Sequence, residues 1–145
     1  MFDALPETFA RPPAPAAFPA PRRRGRGGRV AGLAGRAAEE TTARLYAGRG
    51  WRVVARNWRA GRDWGGGEID LVVEKDGVLA FVEVKARRTL DAAARSLRPA
   101  QRRRLTAAAE RFLMLRDAGG RDIRFDVALL DRAGRLEVVE NAIID

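Results

Sequence analysis

Residues 67–85 read Gly-Glu-Ile-Asp-Leu-Val-Val-Glu-Lys-Asp-Gly-Val-Leu-Ala-Phe-Val-Glu-Val-Lys, and this stretch narrows the possible folds more than any other. Two apolar, β-branched runs flank Asp76-Gly77. Asp-Gly between such runs signals a hairpin, because a tight primed turn needs positive φ at both central residues. A two-residue loop pairs Lys75 with Val78, Val72 with Phe81 and Asp70 with Glu83. A four-residue loop keeps that register, whereas an odd-length loop or a bulge breaks it. Side chains alternate along a strand, so Glu68, Asp70, Glu83 and Lys85 are expected to share one face at the open end. Ile69, Leu71, Val73, Ala80, Val82 and Val84 are expected on the other. Toward the turn the first face becomes apolar as well, with Val72, Leu79 and Phe81. That pattern predicts a sheet covered on both sides, with a polar cluster sunk into one edge of the core.

The register has chemical consequences. Directly opposed carboxylates lie about 5 Å apart at Cβ and repel when both are ionised. A cation between Asp70 and Glu83 removes the repulsion. Hard cations take carboxylate and carbonyl oxygens, which makes the Val84 carbonyl a third candidate ligand. The competing reading has Asp70 and Glu83 as solvated strand ends, with Lys85 paired to one of them. It accounts poorly for four charges converging on one face of two apolar strands. The chain has no cysteine and no histidine. Disulfides, thiolate and histidine metal sites, histidine bases and Ser-His-Asp triads are therefore excluded, and any catalytic metal must be held by oxygen, which favours Mg²⁺ or Mn²⁺.

At 145 residues the length predicts one domain. No stretch is long and apolar enough to span a bilayer, and the missing cysteines suit a reducing cytoplasm. Net charge is +9, which attracts phosphate backbones, although arginine enrichment could equally reflect a GC-rich genome. The only lysines are Lys75 and Lys85. Lys85 is thus a lysine where arginine is the local habit, and a compact ammonium behaves differently from a guanidinium.

Residues 1–28 are rich in Pro, Ala and Arg. They are expected to form a disordered basic tail without the apolar run of a secretory signal. Arg22, Arg23, Arg24 and Arg26 there either grip phosphates or are simply solvated. Residues 29–145 are expected to form the domain. From about Leu33 to Gly48, Ala34, Ala38, Thr41 and Leu45 make a helical stripe. Glu39 lies on its flank beside Thr42 and Tyr46, placed either to reach over the sheet as a further ligand or to pair with a surface arginine. Trp51 to Trp58 reads as a strand, with both tryptophans in packing roles. Gly61 to Gly67 reads as a flexible loop, either one whose Arg62 and Trp64 meet nucleic acid or, preferably, a plain insertion.

After the hairpin, Arg87, Arg88, Arg95 and Arg98 follow close on the acids, and Pro99 suits a first helical position. Leu105, Ala108, Ala109, Phe112 and Leu115 mark a helix through Asp117. Arg102, Arg103 and Arg104 in its first turns oppose the helix dipole unless an anion lies nearby. Ile123 to Leu129 alternates as a strand, with Asp126 either supporting the site or, preferably, on the exposed face. Leu136 to Ile143 closes the sheet. The order helix, three strands, helix, two strands predicts an α/β fold: a mixed central β-sheet flanked by helices.

Gly67-Glu68-Ile69-Asp70-Leu71 followed by Phe81-Val82-Glu83-Val84-Lys85 resembles the YraN-type family of small bacterial proteins, grouped with the restriction-endonuclease-like nucleases. The resemblance covers roughly residues 32–143. It also includes Ala38-Glu39, Ala55-Arg56-Asn57-Trp58-Arg59 and Arg124-Phe125-Asp126-Val127. It implies a restriction-endonuclease-like core with Asp70 as the first acid and Glu83-Val84-Lys85 as the Asp/Glu-x-Lys element, and it raises Glu39 as a further ligand. Gly61 to Gly67 is longer than the family's usual connection. Gln101 stands where many members carry lysine.

The expected activity is Mg²⁺- or Mn²⁺-dependent hydrolysis of DNA phosphodiesters, with branched repair or recombination intermediates among the candidate substrates. Asp70, Glu83, Lys85 and Glu39 are the catalytic candidates, with Asp70, Glu83 and Val84 on the metal. Arg87, Arg88, Gln101, Arg102 and Arg103 are the DNA contacts. The alternative is a non-catalytic nucleic-acid-binding accessory protein. DNA is the expected partner, with no membrane association, as a monomer or homodimer in the cytoplasm.

Overall fold

The computed structural model describes residues 29–116 and 120–142, with side chains from Gly35 onward; the proposed tail and its arginine cluster lie outside them. Helix α1 (Arg29–Gly48) leads into β1 (Arg52–Arg59), a 3-10 turn (Arg62–Trp64), β2 (Glu68–Lys75) and β3 (Val78–Ala86). Helices α2 (Leu90–Arg95) and α3 (Pro99–Arg116) follow, then β4 (Asp122–Leu130) and β5 (Leu136–Val139). The strands form one mixed sheet in the order β1-β2-β3-β4-β5. Only β3 and β4 run parallel, because α2 and α3 make the crossover that parallel neighbours require.

The hairpin turns where Asp-Gly demanded it. Asp76 and Gly77 both have positive φ (50° and 77°), and Lys75 pairs with Val78, Val72 with Phe81 and Leu71 with Val82. Each sheet face is covered. One carries Val72, Leu79, Phe81, Val127 and Leu129 against α2 and α3. The other carries Leu71, Val73, Ala80, Val82 and Ala128 against α1. Phe112 of α3 meets Trp58 and Phe81 edge-on at centroid distances of 5.3 and 5.6 Å, a favoured aromatic geometry.

Strict alternation fails at one place. Ile69 packs with Val72 on the α3 side, not with Leu71. Opposite it, β1 is irregular between Val53 and Ala55, and Asn57 has φ 48°. A residue in that conformation breaks the period of two, so Trp58 and Ala55 end on one face although three positions apart.

Several expectations need correction. Helix α1 begins at Arg29, before Leu33. Its buried face is Ala38, Thr42 and Tyr46, while Thr41 is exposed, because the sheet receives the flank of the sequence stripe. The Gly61–Gly67 segment is no free loop: its 3-10 turn sets Trp64 under the Arg111 guanidinium at 4.8 Å. Helix α2 was too short for a periodic signal; Thr89 caps it by accepting the Ala92 N–H at 3.0 Å. Leu115 is 61% exposed, off the α3 core face. Strand β5 ends at Val139, short of the expected Ile143, which lies outside the described residues.

The largest correction concerns Asp126, which is fully buried. It accepts the Tyr46 hydroxyl at 2.7 Å, two guanidinium bonds from Arg124 at 2.8 Å each, and the Asn141 N–H at 3.0 Å. Arg124 also lies over Trp51 at 4.8 Å. A buried carboxylate is tolerated because its lone pairs are filled by donors, one of them charged. The network ties the C-terminal turn of α1 to β4. Burial and the Asp126 bond push the Tyr46 phenol above its ordinary range.

Gly67 admits α3 to the entry of β2. A Cβ there would sit 2.4 Å from the Arg104 carbonyl oxygen and 3.1 Å from the Ala108 Cβ. Gly67→Ala is expected to destabilise the domain by about 1–3 kcal/mol, the usual cost of overpacking, in urea denaturation. Wild-type stability would show that α3 yields at no cost.

Candidate active site

Below Leu71 and Val82 the ladder between β2 and β3 stops, and a side chain continues it. The Val84 N–H donates to Asp70 Oδ2 at 2.8 Å. Asp70 is drawn into the gap between the strands by this bond, so the expected face-to-face pairing with Glu83 becomes a meeting at the strand parting. Glu83 is two positions beyond Phe81 on the α3 side, and its Oε1 lies 3.2 Å from Lys85 Nζ. Lys85 is only 7% exposed. The open strand end expected for it is therefore closed over by packing, and its charge is matched by Glu83.

From the other face, Glu39 of α1 joins the group. With Arg36, Arg56 and Asn57 it lines a pocket of about 170 Å³ that has Asp70 in its wall. Glu39 is half-buried and hydrogen-bonded to the Asn57 side chain. It does not take the surface ion pair considered for it; the neighbouring Glu40 does, with Arg56 at 2.6 Å and Arg44 at 3.3 Å. Glu68 turns away to Arg59 at 3.3 Å.

These acids stand in one another's fields. Burial, then the Glu83 charge, push Asp70 up to about 8 against the opposing Val84 N–H bond, with Glu39 and Glu68 adding to the rise. Burial also raises Glu83, against Lys85, and raises Glu39, against Asn57. Like charges withdrawn from water hold on to a proton, which is why Asp70 and Glu83 both lie above the ordinary carboxylate range. The same arrangement suits a hard cation. An extended residue presents its N–H and C=O to the same neighbour, so the Val84 carbonyl faces the gap that Asp70 occupies. Among the described residues no three acids close on a single point. A cation here would have Asp70, Glu83, the Val84 carbonyl and water as ligands, a set that Mg²⁺ accepts because it retains several waters.

The proposed DNA contacts fall in separate places. Arg87 and Arg88 are exposed just past the end of β3, where the Arg87 N–H binds the Leu130 carbonyl at 3.0 Å. Arg102 and Arg103 are exposed in the first turns of α3. Gln101 is half-buried, and its side-chain oxygen accepts the Arg98 N–H at 3.3 Å. That is the returning half of a capping box, which gives Gln101 a helix-starting role. No site role for Arg36 was legible in the sequence, and Arg56 and Asn57 stood out there only as part of the Ala55–Arg59 stretch of the family resemblance. The available signal was an asparagine inside a strand, one of the few residues that tolerates positive φ.

The model of Uncharacterised protein family UPF0102 matches residues 38–130. A UPF0102 protein of Ruegeria pomeroyi is 50% identical over 111 residues, covering 76% of this chain and 87% of its own. One of Roseobacter denitrificans is 42% identical over 117 residues, covering 80% and 88%. Another, of Azorhizobium caulinodans, is 42% identical over 135 residues, covering 92% and 96%.

A carboxyl raised by folding binds a proton that the unfolded chain has released, so stability falls as pH climbs between the two values. For Asp70 that window runs from about 4 to about 8. In EDTA, Asp70→Asn is expected to be more stable than wild type by an amount that grows across this window, to on the order of 1–3 kcal/mol at its upper end. Paired thermal melts from pH 4 to 8 measure the gap. A gap that stays flat would place the proton on another group.

Proposed function

This chain belongs to uncharacterised protein family UPF0102, the YraN family with its restriction-endonuclease-like character, and from that premise we propose that it is a metal-dependent phosphodiesterase acting on DNA. The observation that carries the reading is the meeting of Asp70 and Glu83 at the parting of β2 and β3, beside a buried lysine. Holding two acids together in a half-dry gap costs stability, and a pure DNA binder has no use for negative charge beside a phosphate.

In this reading Asp70, Glu83 and the Val84 carbonyl would hold Mg²⁺ or Mn²⁺, which when bound would supply Lewis-acid polarisation of the scissile phosphate and a water of lowered pKa. Asp70 keeps its orientation through the Val84 N–H. Lys85 leaves its pairing with Glu83 as the site fills and donates to the phosphate oxygen that gains charge in the transition state. Glu39, buried beside Asn57, orients the attacking water from the α1 side. Arg87, Arg88, Arg102 and Arg103 hold the backbone without reading sequence.

A second reading, a nucleic-acid-binding accessory protein without catalysis, is favoured by one observation: Lys85 already satisfies an oxygen of Glu83. A cleavage screen over single-stranded, duplex, flap and four-way-junction DNA with Mg²⁺ and Mn²⁺ separates the two. The enzyme reading expects cleavage, with loss of calorimetric metal binding in Asp70→Asn at undiminished DNA affinity. Lys85→Ala should lower the rate by about 10²–10³ while changing DNA affinity little, the pattern of a contact made in the transition state. Cleavage by Lys85→Ala at the wild-type rate would remove Lys85 from the mechanism. No cleavage of any substrate, with DNA binding intact, would favour the accessory protein.

A further inference from the structure

A second hollow, of about 540 Å³, opens at the same end of the sheet as the acids. Its floor is apolar, built from Ala37 and Ala38 of α1 with Ala86 and Leu130 at the ends of β3 and β4. Arg87, Arg88 and Arg132 form its rim, and all three are exposed. Among the described residues none of the three is drawn into an ion pair. Asp131, the one acid in the lining, is committed to its own turn: it accepts the Ala133 and Arg135 N–H groups and the Arg135 guanidinium, at 2.8–2.9 Å.

The hollow adjoins the candidate active site along α1. Ala38 lines the hollow, and Glu39, the next residue, lines the pocket of Asp70. On β3, Ala86 follows directly on Lys85. A strand held at Glu39 and Asp70 would therefore lie beside the three arginines. The volume falls in the range of small-molecule sites and is adequate for one nucleotide. A base held in a duplex is stacked and paired and cannot enter, whereas an unpaired base presents an apolar face, and guanidinium planes stack on it.

We propose that this hollow receives an unpaired nucleotide of the DNA strand, its base against the apolar floor and its phosphates on the arginine rim, so that the preferred substrate carries a single-stranded segment beside the cleavage point. The assignment rests on the reading that DNA is the substrate. It names a requirement that phosphate contacts alone do not impose, because these are the same for paired and unpaired strands.

The test is fluorescence anisotropy of the full chain with two labelled probes in Ca²⁺: a blunt duplex, and the same duplex with a short single-stranded gap. The gapped probe is expected to bind about tenfold more tightly, the yield of stacking one base. Ala37→Trp, at an exposed helix position, fills the hollow and should reduce the gapped probe to blunt-duplex affinity, leaving the blunt duplex unchanged. Thr41→Phe serves if Ala37→Trp fails to fold in a thermal melt. Equal affinity for the two wild-type probes overturns the proposal, as does a preference that survives both variants. Binding of an apolar dye such as ANS in the hollow, without a preference for the gap, assigns it to another occupant and also overturns it. If neither probe binds, the proposed function falls and this assignment with it. A preference erased by Ala37→Trp, in a protein that cleaves nothing with Mg²⁺ or Mn²⁺, supports the hollow and overturns only the catalysis.

Discussion

Strands β2 and β3 pair as far as Leu71 and Val82, and beyond that point the Asp70 carboxylate stands in for the ladder by accepting the Val84 N–H at 2.8 Å. The substitution places a carboxylate at a sheet interior where backbone normally sits. It opens a gap that faces both layers of the domain, with Glu83 and Lys85 toward α3 and Glu39 toward α1. The reversal of Ile69 and the positive φ of Asn57 lie on either side of this point. They bring Asn57 to Glu39, so the irregularity of two neighbouring strands supplies the site's lining.

Helix α1 is held to the sheet from its other end. Asp126 gathers Tyr46, Arg124 and the Asn141 N–H, and Arg124 covers Trp51, whose ring meets Tyr46 at 5.7 Å. Removing one member of such a buried network leaves charge without a partner, typically at a cost of about 3–5 kcal/mol. With the C-terminal turn of α1 fixed, Glu39 two turns earlier is held over the β2 gap. Asp126 thus acts on the site through the placing of a helix and touches none of the acids. On the opposite face, Gly67 lets α3 approach β2 closely.

The two layers leave a site that is unfavourable by itself. Burial raises Asp70, Glu83 and Glu39 together, the direction expected of like charges withdrawn from water. Structural ion pairs elsewhere in the domain, such as Arg52 with Glu74 at 2.6 Å, pair opposite charges and carry no such penalty. Perturbed acids gathered in a recess are a common mark of function.

Local chemistry was enough to locate the hairpin, its Asp-Gly turn and its register through Leu71, because Asp-Gly and the period of two act within a few residues. The same local signals placed α3 from Pro99, the strands and the mixed α/β class, and the ordered motifs identified the family. Four outcomes belonged to the tertiary structure. The buried face of α1 depended on which flank the sheet offered. Asp126 became a buried hub only because Tyr46, 80 residues away in sequence, reaches it. Asp70 turned into the gap because β1 and β2 break their alternation together, which neither strand encodes alone. The arginine-rimmed hollow exists because the ends of β3 and β4 and one turn of α1 meet, three segments whose spacing in the chain carries no trace of the meeting. Each of the four rests on contacts between distant segments, and a pattern confined to one segment holds no record of what will pack against it.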